Sequence, residues 1–113
     1  MDEPKWPGPW VRALLGTAIL AVLEPGPLHG YGIAVALAER GLGRPKGGSL
    51  YPLLGALEGD GSVVASWVQG EKGPGRKAYE LTDQGHDRLD EERRSWGTLV
   101  ASLNDPRTER TNR

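Results

Sequence analysis

Val11, Leu14, Leu15, Ala18, Ile19, Val22 and Leu23 recur at intervals of three and four residues. That spacing lays one apolar stripe along a helix of about four turns. The run Glu24-Pro25-Gly26-Pro27 stops it, because proline has no N–H to continue the backbone ladder. A second helix is predicted from about His29 to Arg40, with Ile33 and Leu37 turned inward and alanines supplying propensity. Gly41 and Gly43 give its stop and turn. Gly30 and Gly32 are unfavourable near a helix start and point to close approach of a neighbouring helix.

Leu50, Leu53, Leu54 and Leu57 repeat the three–four spacing over a third helix, Ser49 to about Asp60. Pro52 is read there as a first-turn residue, where an N–H needs no partner. The period then changes to two. Val63, Ala65 and Trp67 alternate with Val64, Ser66 and Val68; after a Gly/Pro-rich turn from Gly70 to Gly75, Lys77, Tyr79 and Leu81 alternate again. This predicts a β-hairpin. Thr82-Asp83 is a helix entry, since Thr can cap and Asp suits the positive helix end. The fourth helix runs to about Leu103, its stripe made of Leu89, Trp96, Leu99, Val100 and Leu103.

Three helices, a hairpin and a longer helix describe a mainly α chain with a small β-hairpin, a winged helix-turn-helix. In that arrangement helix three enters the major groove of DNA and the hairpin lies against the backbone. The chain divides into a flexible N-terminal arm (1–9), a winged-helix domain (10–82), a C-terminal helix (83–104) and a disordered tail (105–113).

Composition narrows the function classes. With 113 residues, 37% apolar and no Phe, a monomer has little to bury, so part of the core is expected to be completed by a second subunit. The absence of Cys excludes disulfides and thiolate chemistry, and His29 and His86 alone make no zinc site. No metal or cofactor is expected. No apolar run approaches the ~18 residues of a membrane span, and the acidic, Pro-rich N-terminus does not read as a signal peptide. The expectation is a soluble protein of the cytoplasm.

Net charge is −1 and the pI about 6.1, but the distribution is uneven. Arg44, Lys46, Lys72, Arg76 and Lys77 face three acids between 44 and 77, a net of +2; residues 83–94 carry a net of −2. A local basic footprint is indicated.

Leu28-His29-Gly30-Tyr31-Gly32-Ile33, then Gly48-Ser49-Leu50-Tyr51-Pro52-Leu53-Leu54 with Leu57-Glu58, then Arg76-Lys77-Ala78-Tyr79-Glu80-Leu81-Thr82-Asp83-Gln84-Gly85 closely resemble the PadR-like transcriptional regulators over residues 11–90. The first two blocks, in this order and spacing, are highly specific; the third is shared more widely among winged helices. The resemblance implies a homodimer on a near-palindromic operator in double-stranded DNA, usually as a repressor, with helix four carrying much of the dimer contact. There are two departures. Gly55 and Ala56 stand where the family is often basic, and Ser62 stands where an apolar residue usually opens the first strand. The second is read as touching only packing.

With its leucines inward, helix three shows Gly48, Tyr51, Pro52, Gly55, Ala56 and Gly59 outward, a face poor in groups that make bidentate base contacts. Close backbone approach is therefore expected, with Lys46, Ser49, Tyr51 and Pro52 at the helix entrance. Some contacts there would go to phosphates, helped by the helix N-terminus. Lys72, Arg76 and Lys77 would hold the flanking backbone from the hairpin, leaving part of the specificity to DNA shape. Ser49 alternatively serves only as a helix cap.

His29, Tyr31 and Tyr79 are read as structural, and Trp67 as a cover over the core edge. Leu89, Trp96, Leu99, Val100, Leu103 and Trp10 are assigned to the dimer interface. Trp96 is read as its anchor; since some PadR-like proteins hold aromatic effectors at that interface, contact with a small aromatic effector is its alternative role. Asp87, Asp90, Glu91 and Glu92 interleave with Arg88, Arg93 and Arg94, an ion-paired solvated face and not a catalytic carboxylate pair. Gly41 to Ser49 fails both phosphate-loop patterns, so an enzyme is not expected. The rival is a winged-helix protein-interaction module without DNA binding.

Overall fold

The computed structural model describes residues 3–70, 73 and 75–108. They fold in the order α1 (Gly8–Leu23), β1 (Leu28–His29), α2 (Gly30–Glu39), α3 (Gly47–Gly59), β2 (Val63–Val68), β3 (Arg76–Leu81) and α4 (Asp83–Ser102), with a 3-10 turn at Pro106–Thr108. The winged-helix arrangement and the mainly helical class are as the sequence predicts.

α1 is the helix around which the rest packs. Its stripe widens until Ile19 to Leu23 are buried on every side, against α2, α4 and β3. Ile33 and Leu37 of α2, Leu50, Leu54 and Leu57 of α3, Val63, Tyr79 and Leu81 of the sheet, and Leu89 of α4 complete one core. At roughly 25 cal/mol per Å² of apolar surface removed from water, this cluster is the main stabilising term.

Several boundaries differ from the sequence reading. α1 starts at Gly8, with Pro7 at the cap position and Pro9 in the first turn, where a fixed φ and a missing N–H are harmless. The arm before it is tied down: the Lys5 N–H donates to the Gly41 carbonyl at 2.8 Å. Residues 1–2 and 109–113, the ends of the expected arm and tail, lie outside the described residues.

α3 begins two residues earlier than predicted, so Pro52 is its sixth residue and not in the first turn. Proline there removes the donor that the Gly48 carbonyl would otherwise receive within the helix. Burial of Leu50, Leu54 and Leu57 outweighs that loss.

The sheet has a strand more than the expected hairpin. Leu28 pairs with Tyr79 and His29 with Ala78, so β1 joins the outer edge of β3 in the order β1-β3-β2. Two residues are too short for a period-2 signal, and the prolines before them disguise it. The pairing fixes the start of α2 beside the wing. β2 and β3 run from Val63 opposite Leu81 to Val68 opposite Arg76.

α4 is capped as expected, the Thr82 hydroxyl accepting from the Gly85 N–H at 3.0 Å. Gly85 passes so close to the Ser62 carbonyl that a Cβ would overlap it. Beyond Leu89 the helix leaves the core, and Leu99, Val100 and Leu103 are exposed.

Candidate nucleic-acid interface

Lys46 is the residue before α3 and holds an extended backbone with no side-chain cap. The expected cap, Ser49, is the third residue of the helix instead, and its N–H is satisfied by the Lys46 carbonyl at 2.9 Å. With no side-chain cap, the N–H groups at the very start of the helix are not satisfied by a capping side chain, and the residue before them is a lysine. Such a helix start favours anions. Lys46, Ser49, Tyr51 and Pro52 are all exposed, on one end of one element.

Tyr51 is held from below. Its ring and hydroxyl rest on Gly30, where any Cβ would collide with them. The glycine is thus needed for a tyrosine to cross it, and not for two helices to approach. Tyr51 remains half exposed.

The wing faces this helix end. Arg76 is exposed, and its Nη1 lies 2.9 Å from His29 Nε2, while His29 Nδ1 accepts the Gly32 N–H at 3.2 Å to cap α2. A neutral imidazole has only one acceptor nitrogen, so the backbone donor and the guanidinium compete for it. Arg76 is poised, not committed. Lys77 sits 3.5 Å from Glu58, both about two-fifths exposed, a long surface pair of little strength. Lys72 lies outside the described residues.

Between α3 and the wing is an open cleft of about 490 Å³, whose walls include His29, Tyr31, Tyr51, Trp67, Arg76 and Lys77. The sequence reading makes three of these structural. His29 is indeed a cap, but Tyr31 and Trp67 are exposed, not in the core or over its edge. Arg44 stacks on Tyr31, 5.4 Å from its ring centre. Nothing in the period-2 pattern separates a strand residue over the core from one beyond its rim, so alternation alone does not place Trp67.

The second set of candidates divides. Leu89, assigned by the sequence reading to the dimer interface, is completely buried in the core of its own chain and so is not available to a partner. Leu99, Val100, Leu103 and Trp10 are exposed. Trp96 is half-buried and donates its indole N–H to Thr17 Oγ1 at 3.1 Å, docking α4 on α1. With Trp6, Leu14, Arg40, Leu42 and Arg93 it lines a cleft of about 520 Å³.

A polar network joins the two regions. The Thr17 hydroxyl donates to Glu92, and Arg88 bonds Glu92, Asp60 and Ser62. Ser62, an apparent packing departure, is fully buried and donates its hydroxyl to Asp60 at 2.7 Å. That bond, reinforced by the Ser62 N–H and by Arg88, holds the Asp60 carboxyl below its ordinary value despite partial desolvation. Burial pushes Glu92 upward, but Thr17 and Arg88 outweigh it and leave its carboxyl lowered too.

Among the described residues no group of acids and histidines is placed to hold a metal, and no helix is long and apolar enough to cross a membrane.

A family model described as the transcriptional regulator PadR-like family matches residues 19–91. Among solved structures the chain is similar to a PadR-like transcription factor from Bacteroides fragilis, at 33% identity over 82% of this chain and 89% of that one, TM-score 0.74. It is similar also to a PadR family regulator from Eggerthella lenta, at 30% identity over 92% and 88%, TM-score 0.78. Bacillus subtilis PadR, solved in complex with operator DNA, matches at 30% identity over 69% of this chain and 45% of that one, TM-score 0.63. A comparison with curated protein sequences finds no match.

Proposed function

The chain belongs to the PadR-like family of transcriptional regulators, and from that premise we propose that it works in the cytoplasm as a homodimeric repressor on a near-palindromic operator, and not as an enzyme. The observation that carries the reading is the uncapped, exposed start of α3 set beside a cationic wing. Lys46, Ser49, Tyr51 and Pro52 enter the major groove in this reading, and Arg76 and Lys77 hold the flanking phosphates. Lys72 takes the same role on sequence grounds alone. The similar Bacillus subtilis PadR was solved with operator DNA, which supports duplex DNA as the partner.

Dimer formation is assigned to the exposed end of α4, Leu99, Val100 and Leu103, with Trp10 of α1. The cleft at Trp96 is where a small aromatic effector would act, the indole N–H already being committed to Thr17. The experiment is a binding assay on the DNA upstream of the chain's own gene across a salt series, with crosslinking to count subunits. Binding that weakens steeply with salt, by two subunits, is expected. No binding at low salt would favour the protein-interaction module, which the sparse outward face of α3 at Gly48, Gly55 and Ala56 also suits.

A further inference from the structure

We propose that Trp67 is a DNA-contacting residue of the wing, its indole packing on the deoxyribose faces of the strand whose phosphates Arg76 and Lys77 hold. The proposal rests on the DNA-binding reading and adds to it an apolar contact on an element otherwise read as purely electrostatic.

The inward face of β2 is a gradient. Val63 is buried and Ala65 half-buried, while Trp67, next on the same face, is 72% exposed. The strand runs past the rim of the core, and at Trp67 its inward side looks over the cleft beside α3. An indole left mostly in water at a paired position, opposite Lys77 in the ladder, is not part of the core.

The surroundings select the occupant. Tyr31 and Tyr51 offer two more exposed rings to the same cleft, and Arg76 and Lys77 supply its charge. No acidic side chain is among the described residues that line it. A sugar–phosphate strand offers both anionic groups and apolar C–H faces, and this wall offers both cations and rings. An aliphatic peptide would leave Arg76 without an anion, Lys77 having only its long pair with Glu58, and a simple anion would leave the rings bare. The cleft is also continuous with the start of α3 through Tyr51, so one duplex can meet both.

The test uses the full chain and a duplex that the wild type selects from a randomised pool. Failure to select any duplex defeats the DNA-binding reading itself. Given selection, Trp67→Ala is expected to weaken binding about tenfold or more, with Trp67→Phe recovering most of it. Because no charge is removed, the salt slope should match the wild type, unlike that of Arg76→Ala. Melting temperature and circular dichroism should be unchanged, the ring being mostly exposed. As a second readout, the Trp67 emission, taken as wild type minus Trp67→Phe, should become shielded from acrylamide on the duplex. Unaltered affinity in Trp67→Ala, or an indole still open to quencher in the complex, would overturn the proposal. So would equal shielding by free deoxyadenosine monophosphate, which would make the cleft a nucleotide site.

Discussion

Arg88 Nη1 lies 2.8 Å from Asp60 Oδ2, so a guanidinium on α4 holds the residue that closes α3. The same side chain donates through Nε to Glu92 at 2.8 Å, and Glu92 accepts the hydroxyl of Thr17, whose oxygen receives the Trp96 indole. A continuous chain of hydrogen bonds thus links the end of the proposed recognition helix to the α1–α4 cleft.

Replacing Arg88 by Ala should therefore reach beyond a surface pair. The pairs are one-third to one-half exposed and individually weak, but the arginine also bonds the buried Ser62 hydroxyl. A loss of about 1 kcal/mol is expected, or roughly 4–8 °C in melting temperature for a domain of this size. Arg88→Lys should recover little, since an ammonium cannot span two carboxylates as a planar fork does. An unchanged melting curve for Arg88→Ala would mean the network carries no stability.

Acid should dissolve the same network. Asp60 and Glu92 both have folded-state values depressed below their ordinary 3.8 and 4.5. A depressed carboxylate contributes stability that is complete above the unfolded value and is lost as pH falls through the folded one. Melting temperature should hold down to about pH 4.5 and then decline more steeply than in an Asp60→Asn, Glu92→Gln double variant. Parallel curves for the two proteins would assign acid unfolding elsewhere.

Gly30 and Tyr51 give a reciprocal prediction. Gly30→Ala puts a methyl where the tyrosine ring rests, so Tyr51 must swing away from the start of α3. DNA affinity should fall by roughly the amount lost in Tyr51→Ala, about 1–3 kcal/mol for a specific contact. In the double variant the two losses should not add, because the glycine matters only through the tyrosine. Full additivity would detach Gly30 from the interface.

The same pair marks how much was legible beforehand. Periodicity located all four main helices and both hairpin strands, because Leu50, Leu54 and Leu57 or Ile19 and Val22 obey one spacing whatever packs on them. It could not supply β1, whose two residues become a strand only by pairing with Tyr79 and Ala78. Glycine at position 30 was visible as a demand for close approach, but what approaches is a side chain brought from twenty-one positions away. Leu89 and Leu103 carry the same seven-residue signal, yet one is buried in its own chain and the other is exposed. A repeat along a helix does not say where the supporting core ends. Ser62 read as a packing lapse because its partners, Asp60 and Arg88, meet it only in three dimensions.

Arg76 separates charge from contact. In Arg76→Ala, affinity should drop on every duplex sequence, and the slope of log affinity against log salt should flatten by about 0.9, one phosphate's worth of counterions. His29 would keep its cap on α2, so melting temperature should not fall. An unaltered slope would remove Arg76 from the phosphate footprint.

Leu103 tests the assembly. It is 79% exposed at the end of α4, one turn beyond Leu99 and Val100, and apolar residues clustered on an exposed helix end mark an interaction surface. Leu103→Glu together with Leu99→Glu should leave the far-ultraviolet spectrum intact, because neither side chain supports the chain's own core. If the proposed dimer forms through these residues, sedimentation should then report a monomer in place of the dimer expected of the wild type, and affinity for a two-half-site duplex should fall far more than affinity for a single half-site. Leu89→Glu should behave differently, unfolding the chain by burying a charge in the core. If the double variant still sediments as a dimer, the partner lies on another face, and exposed Trp10 of α1 becomes the residue to alter next.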